Sequence, residues 1–395
     1  MNKIPPLVRS ALIENRIFGL STELETTSMH LSSLNLINFK NHPEAQLSFS
    51  PEINVFVGNN GVGKTNLLDA IHYLSFCKSF LNPVDRQNIR IDEKFFMLQG
   101  DFSKEDKNVQ ISCSVQQGQK KKVKWNKKEY EKLADHIGKF PTVIVSPYDT
   151  NLIIEGSETR RKFIDSIISQ FDRNYLETLM YYNKVLQQRN ALLKQFQELR
   201  IFDQESIEVW DVQLVENGMK IYEKRRKFLE DFIPVFQKYF DLIANHKEEI
   251  SIAYKSQLTD ANFVEELEAS KRKDSAVGYT GVGIHKDDLI FLINDKPIKK
   301  FGSQGQQKSF LIALKLAQFE LISQLLEMKP ILLLDDIFDK LDHQRVEHLM
   351  KLVSDHAFGQ VFITDTDIDR IEKVFKEIDI ERRVFELKSN TIEER

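Results

Sequence analysis

The sequence predicts an α/β protein whose mixed sheet is assembled from two separated stretches of chain, with a helical lobe inserted between them. Three observations carry this. A short apolar strand, Ile53–Val57, runs straight into a glycine-rich loop and then an amphipathic helix. Far downstream a second fully apolar run, Ile331–Leu334, ends in Asp335-Asp336. Between them, residues 157–273 carry apolar side chains at helical spacing.

Bulk composition narrows the class without naming it. A chain of 395 residues can bury two or three sizeable cores. Its net charge of −4 gives no bulk sign of a nucleic-acid binder, so any DNA contact must come from local basic surface. Two cysteines, Cys77 and Cys113, lack C-x-x-C spacing; this argues against a disulfide scaffold or a zinc site and suits a reducing cytoplasm. No apolar run is expected to span a membrane. Pro5, Pro6, Arg9 and Glu14 break any secretory apolar region.

Residues 1–28 have weak periodicity and read as a disordered tail or an upstream extension before Met29. Alternation in 31–39 and 45–49 predicts two antiparallel strands around Asn41-His42-Pro43. After the strand at 53–57 and its loop, Leu67, Leu68, Ile71 and Leu74 mark a helix. Residues 95–145 read as β-rich. Within them, 120–132 holds seven lysines beside Trp125 and Tyr130, which fits a hairpin with a solvated face or a contact to the DNA backbone. In the helical stretch, Ile164, Ile167, Ile168 and Phe171 share one face, as do Leu214, Ile221, Phe228 and Phe232, with a break at 203–206. That allows a short antiparallel hairpin and no long coiled coil. Strand returns at 289–293, turning at Asn294-Asp295, and a helix over 304–327 stops at Lys329-Pro330. Val361-Phe362-Ile363 forms a last apolar strand before Thr364-Asp365-Thr366. The expected organisation is therefore a head from 29–155 and 275–395, with the lobe at 156–274.

The motifs carry the chemistry. Gly58-Asn59-Asn60-Gly61-Val62-Gly63-Lys64-Thr65 fits G-x-x-x-x-G-K-[ST] between a buried strand and a helix. Glycines let backbone N–H groups converge on phosphate oxygens, Lys64 adds a mobile cation, and the Thr65 hydroxyl suits Mg²⁺. Asp335 emerges at a strand's C-terminal end, where a carboxylate can join Thr65 as a metal ligand. Asp336 stands where a general base would meet the attacking water, one methylene shorter than a glutamate. The nucleotide is expected to be ATP. Ser303-Gln304-Gly305-Gln306 sits at a helix N-terminus, whose positive end and hydroxyl suit a γ-phosphate carried by a second copy. Arg160 and Arg161 read first as a solvated helix start, and His285 as a structural histidine.

Ser303, Gly305 and Gln306 resemble the signature of ABC-type ATPases, and Leu341-Asp342 matches the loop joining two such sites. The wider set resembles the RecF family of bacterial recombination-mediator ATPases, relatives of SMC heads, from Met29 to the C-terminal region. It comprises 34–41, Ser146-Pro147-Tyr148-Asp149, 160–165, Gln188-Arg189-Asn190, 283–289, 302–308 and 333–338. Two departures stand out. Gly283-Ile284-His285-Lys286 replaces the family's Gly-Pro-His-Arg, and Thr364, Asp365 and Thr366 occupy the place of the ABC switch histidine.

The resemblance implies an ABC-type P-loop head that forms an ATP-dependent homodimer with slow hydrolysis. Lys40 follows a strand near the nucleotide side, and similarity to related heads implies a contact to phosphate or base there. It also implies binding to single-stranded and duplex DNA at gapped junctions, with RecO- and RecR-like partners, to help load RecA in gap repair, replication restart and the SOS response. The alternative is an SMC-like structural ATPase on chromosomal DNA, disfavoured by the short insert. A transporter subunit is disfavoured by the length of the insert and the missing histidine. A metabolic kinase has no use for the signature.

Overall fold

Alternation along β1 (Met29–Phe39) turns Leu31, Leu34, Leu36 and Phe39 inward, and the chain reverses at Lys40-Asn41 into antiparallel β2 (His42–Ser48). β3 (Ile53–Val57) is buried along its whole length and feeds the glycine loop and α1 (Lys64–Phe76). The computed structural model describes residues 28–395 apart from 106, 245–247, 259–261, 338–357, 377–379 and 390. The segment 1–27 and the pair Leu341-Asp342 lie outside the described residues.

β4 (Phe95–Lys104), β5 (Lys107–Gln116), β6 (Lys122–Trp125) and β7 (Lys128–Glu129) extend β1 and β2 into an antiparallel sheet, ordered β2-β1-β4-β5-β6-β7. After β8 (Thr142–Val145) come α2 (Ser157–Phe171), α3 (Arg173–Leu199) and α4 (Gln204–Ala244). The short link between α3 and α4 makes them a helical hairpin, with the break where the sequence suggested it. Next follow β9 (Ile250–Lys255), α5 (Phe263–Val277), β10 (Asp288–Ile293) and β11 (Lys296–Pro297). α6 (Gln304–Leu326), β12 (Ile331–Leu334), β13 (Val361–Asp365), α7 (Ile368–Val374), β14 (Arg382–Leu387) and β15 (Ile392–Glu394) complete the chain.

The second large sheet has the order β15-β14-β3-β13-β12-β8, parallel except for the β14-β15 hairpin. α1 is wedged between the two sheets, and Leu67, Leu68, Ile71 and Leu74 join a core drawn from both. Gln360 stitches them as well. Buried beneath both, its amide donates to Leu31 O and Ser50 O at 2.8 Å each and accepts from Leu31 N at 2.7 Å.

Helix was expected throughout 157–273, but 250–255 is a strand that pairs with β10 in a three-stranded sheet ordered β11-β10-β9. Ile250 and Ile252 point inward on alternate positions. A run that short is easily overlooked beside a 41-residue helix. α4 lies along α6, where the Phe236 and Phe310 rings meet edge to face at 4.7 Å. α6 is long and apolar enough to cross a membrane by composition, contrary to the expectation of no such run. Its apolar residues are packed in this core.

Buried charge fastens the helical stretch to the strands. Arg225, 2% exposed, donates to both carboxylate oxygens of Asp165 at 2.9 Å, and to Ile284 O and Asp287 Oδ2 at 3.0 Å. Tyr175 and Tyr254 donate to the same two aspartates. Arg160 grips Asp288 through two bonds of 2.8 and 3.1 Å, and Arg161 donates to Asp287 O at 2.6 Å. The helix start read as solvated is therefore bound into the 287–288 segment, and neither arginine is free to serve as a DNA contact. His285 is structural, as expected, with Nδ1 2.8 Å from the Tyr182 hydroxyl.

Breaking this network by Arg225→Ala strands the buried Asp287 and the partly buried Asp165 without their counter-charge. A loss of about 3–5 kcal/mol in unfolding free energy is expected by urea titration. A loss under about 1 kcal/mol would show that the network does not hold the lobe.

Candidate nucleotide site

Three parallel strands end side by side to make the site. Val57 is opposite Asp365 and Leu334 opposite Ile363, so the residues that follow β3 and β12 meet the last residues of β13. This edge is where α/β sheets bind ligands.

The glycine loop is held from outside by the β1-β2 turn. Asn41 Nδ2 donates to Val62 O at 2.9 Å, and Asn41 Oδ1 accepts from Asn66 Nδ2 at 2.7 Å. His42 Nε2 lies 3.0 Å from Gly63 O. A carbonyl can only accept, so that nitrogen carries the proton. Burial lowers the His42 pKa, and the bond to Gly63 opposes the shift only in part, which favours the neutral ring. Gly63 has φ of 106°, and a Cβ there would lie 2.5 Å from the Asn41 amide and 2.6 Å from the His42 ring. Gly58 is equally constrained, since a Cβ would meet Leu387 O at 2.5 Å. Asn41 and His42 were read from sequence only as a turn; their partners lie about twenty residues on, in the loop.

Lys64 folds across its own loop. Its ammonium donates to Gly58 O at 2.8 Å and Asn59 O at 3.1 Å, and the residue is buried. Thr65 Oγ1 donates to Asp335 Oδ1 at 2.8 Å, uniting residues 270 positions apart. Asp335 is 2% exposed, and burial raises its pKa above the usual carboxylate range while the Thr65 and Thr364 hydroxyls oppose that shift. Asp336 follows in the left-handed region with φ of 46°, and its Oδ1 has no hydrogen-bond partner among the described residues.

These donors fit a magnesium nucleotide. Oxygen ligands suit Mg²⁺, and one hydroxyl with one or two carboxylates leaves positions for phosphate and water. Among the described residues no group of three or more His, Cys, Asp or Glu could hold a metal ion. The loop backbone, Lys64 and the α1 N-terminus supply the anion cradle.

Other predicted residues stand elsewhere. Lys40 is buried and ion-paired to Asp69, which also accepts from Ser79 Oγ at 2.6 Å and Phe80 N at 2.8 Å. Its ammonium is engaged by α1 rather than presented to the loop. Ser303 is exposed and caps α6: its hydroxyl accepts from Gln306 N at 3.2 Å, and Gln306 Oε1 accepts from Ser303 N at 2.7 Å. Gln306 Nε2 also donates to Glu248, and Gly305 fills the first turn between them. In the middle of α6, Lys315 pairs at 2.8 Å with Asp149, just past the end of β8. Ser303 precedes Lys315 by twelve residues of helix, about 18 Å along the helix axis.

The lysine run divides in two. Lys122 is exposed and Lys124 half-exposed on β6, while Lys121 turns inward to Asp85 at 2.9 Å and to Cys77 O. Burial pushes the Cys77 thiol up to about 12, which leaves it an inert packing group.

A P-loop head of this layout belongs to a wide class, and residues 30–388 match the model of the RecF/RecN/SMC N terminal domain. Two SMC head structures, one from Pyrococcus furiosus at 16% identity and TM-score 0.54 and one from Pyrococcus yayanosii at 14% and 0.55, share the fold. Each is covered almost fully and spans 93% of this chain. Much nearer is the DNA replication and repair protein RecF of Flavobacterium johnsoniae, 51% identical over 91% of this chain and 100% of its own. That of Phocaeicola vulgatus is 48% identical over 93% of this chain and 99% of its own. A solved structure, the recombination mediator protein RecF-ATP in the RecFOR pathway, superposes with TM-score 0.84 at 31% identity, covering 94% of this chain and 98% of that one. The chain belongs to the RecF family.

The clamp on the loop gives a direct test. Gly63→Ala must displace Asn41 and His42 or leave a strained φ, and should cost about 1–3 kcal/mol in thermal or urea unfolding. Wild-type stability would mean that the turn does not hold the loop.

Proposed function

We propose that this protein is an ATP-dependent DNA-binding protein of recombinational gap repair, acting as a dimer closed by nucleotide. The observation that carries the reading is the Thr65–Asp335 hydrogen bond beneath a glycine loop, in a chain whose signature serine, Ser303, is exposed at the N-terminus of α6. One copy alone holds half of each catalytic centre, and a second copy supplies Ser303, Gly305 and Gln306 to the phosphate.

Lys64 and the loop amides bind the β- and γ-phosphates; Thr65 and Asp335 hold Mg²⁺. The cation neutralises charge at the phosphate oxygens. Asp336 acts as general base toward water, and its short side chain suits slow turnover. Lys40, once released from Asp69, is the further phosphate or base contact. The head comprises 29–155 and 275–395, with 156–274 as the inserted lobe, and the protein works in the cytoplasm. Its relatives' names and the RecFOR pathway of its solved neighbour support a role in DNA replication and repair with RecO- and RecR-like partners. The further reading, which rests on the family resemblance, is binding of single-stranded and duplex DNA at gapped junctions with RecA loading as the outcome. The SMC-like structural alternative has less support, because the RecF relatives are 51% and 48% identical to this chain where the SMC heads, over a similar span, are 16% and 14% identical.

Dimer mass with and without ATP tests the central claim. Lys64→Arg should abolish ATP-driven dimerisation by weakening phosphate engagement, since a planar guanidinium replaces a compact ammonium. Ser303→Arg should abolish dimerisation while nucleotide affinity stays within about threefold of wild type, a change under about 0.7 kcal/mol. Dimers that form equally in both variants would overturn the composite site.

DNA contact is tested separately at β6. Replacing Lys122 and Lys124 by Gln should lower the slope of log affinity against log salt by roughly 0.9 per lost duplex phosphate contact, with ATP-driven dimerisation retained. An unchanged slope assigns this face to solvent. Lys121 is excluded from that test, because its ammonium is bonded into Asp85.

A further inference from the structure

At the place of the missing switch histidine, three residues were open: Thr364, Asp365 and Thr366. They do different things. Asp365 builds a turn, its Oδ1 accepting from Asp367 N at 2.7 Å and its other oxygen facing Arg370 at 3.6 Å. Thr366 lines a cleft beside Gly58 and Asn59. Thr364 is fully buried, and its hydroxyl joins both acidic residues of the centre.

A threonine hydroxyl has one proton to donate and lone pairs to accept with. Here the proton goes to Asp335 Oδ1 at 2.9 Å, and a lone pair accepts the backbone N–H of Asp336, also at 2.9 Å. Thr65 donates to that same Oδ1 from the first turn of α1, so two hydroxyls fix the carboxylate. The second bond bears on Asp336, whose left-handed φ of 46° is uncommon for an aspartate and needs something to hold it. Packing gives no reason for a hydroxyl here, since Val361, Phe362 and Ile363 before it are all apolar and buried. Thr364 itself is fixed by the β13 register, opposite Phe56 of β3.

We infer that Thr364 is the positioning residue of the nucleotide centre, orienting the Asp335 carboxylate for the cation and the Asp336 backbone for its water-facing carboxylate through one hydroxyl. Both bonds of its hydroxyl are spent on the two aspartates, so it acts through them. The inference rests on the proposed Mg-ATP reading of this site.

The experiment compares wild type, Thr364→Val, Thr364→Ser and Asp335→Asn by two readouts. One is the Mg²⁺ midpoint for binding a fluorescent ATP analogue, referenced to its affinity in EDTA; the other is ATP turnover. Losing one hydrogen bond to a charged group should raise the midpoint about tenfold in Thr364→Val and slow turnover about 10- to 100-fold, with affinity in EDTA unchanged. Thr364→Ser keeps the hydroxyl and should return both to within about threefold of wild type. A Val variant matching wild type on both readouts overturns the inference, as does a Ser variant as impaired as Val or a parallel loss of affinity in EDTA. If Asp335→Asn loses the Mg²⁺ response while Thr364→Val keeps it, this inference fails and the Mg-ATP reading stands. If wild type shows neither a Mg²⁺ response nor turnover, both fail.

Discussion

Register among β3, β13 and β12 decides whether residues 58, 335 and 364 can meet, because the first lies hundreds of positions before the other two and the three come from separate strand ends. Parallel pairing sets Val57 against Asp365 and Leu334 against Ile363, which leaves Asp335 level with Thr364. A slip of one residue in any of these pairs would turn Thr364 or Asp335 to the opposite face. The strands resist such a slip because all three are apolar and covered on both sides, one face by α1 and the other by α6 and its neighbours. Site geometry is thus inherited from core packing.

Charge is used to couple elements rather than to decorate the surface. Lys315 in the middle of α6 meets Asp149, whose carboxylate also caps the turn after β8 through Ser146 N at 2.7 Å. β8 in turn pairs with β12, which carries Asp335. A mechanical link of three contacts therefore runs from the acidic strand end to the helix that bears the signature. The Arg225 network in turn ties α2 and α4 to the 284–287 segment that leads into β10. Buried ion pairs of this kind add little net stability over apolar packing, but they fix geometry.

The phosphate loop, the acidic strand end and the signature were legible because each is a local pattern whose chemistry depends on adjacent residues. The hairpin formed by α3 and α4 was legible for the same reason, through its apolar period. What escaped depends on partners far along the chain. Nothing near Arg160 and Arg161 indicates that their carboxylate and carbonyl partners lie at 287–288. Lys121 looks like its neighbours in a lysine run, and only the fold brings Asp85 to it. Asn41 and His42 read as an ordinary turn, since the Gly63 they constrain lies beyond another strand. β9 was missed because a strand of six residues beside a very long helix carries too few positions to show its own period. Lys40 was placed near the nucleotide by likeness, and Asp69 claims it here.

Chain order within the parallel sheet has a consequence for biosynthesis. β3 arises from the first sixth of the sequence, yet both of its neighbours, β13 and β14, come from the last tenth. While the ribosome is still synthesising the middle of the chain, the strand that carries the phosphate loop has two open edges and no lateral partner. The antiparallel sheet of β1, β2 and β4–β7 can form early from near neighbours, but the nucleotide centre must await the final segments. A nascent chain of this kind exposes apolar strand edges for most of its synthesis, which makes the interval before release the period of greatest exposure to aggregation and to chaperones.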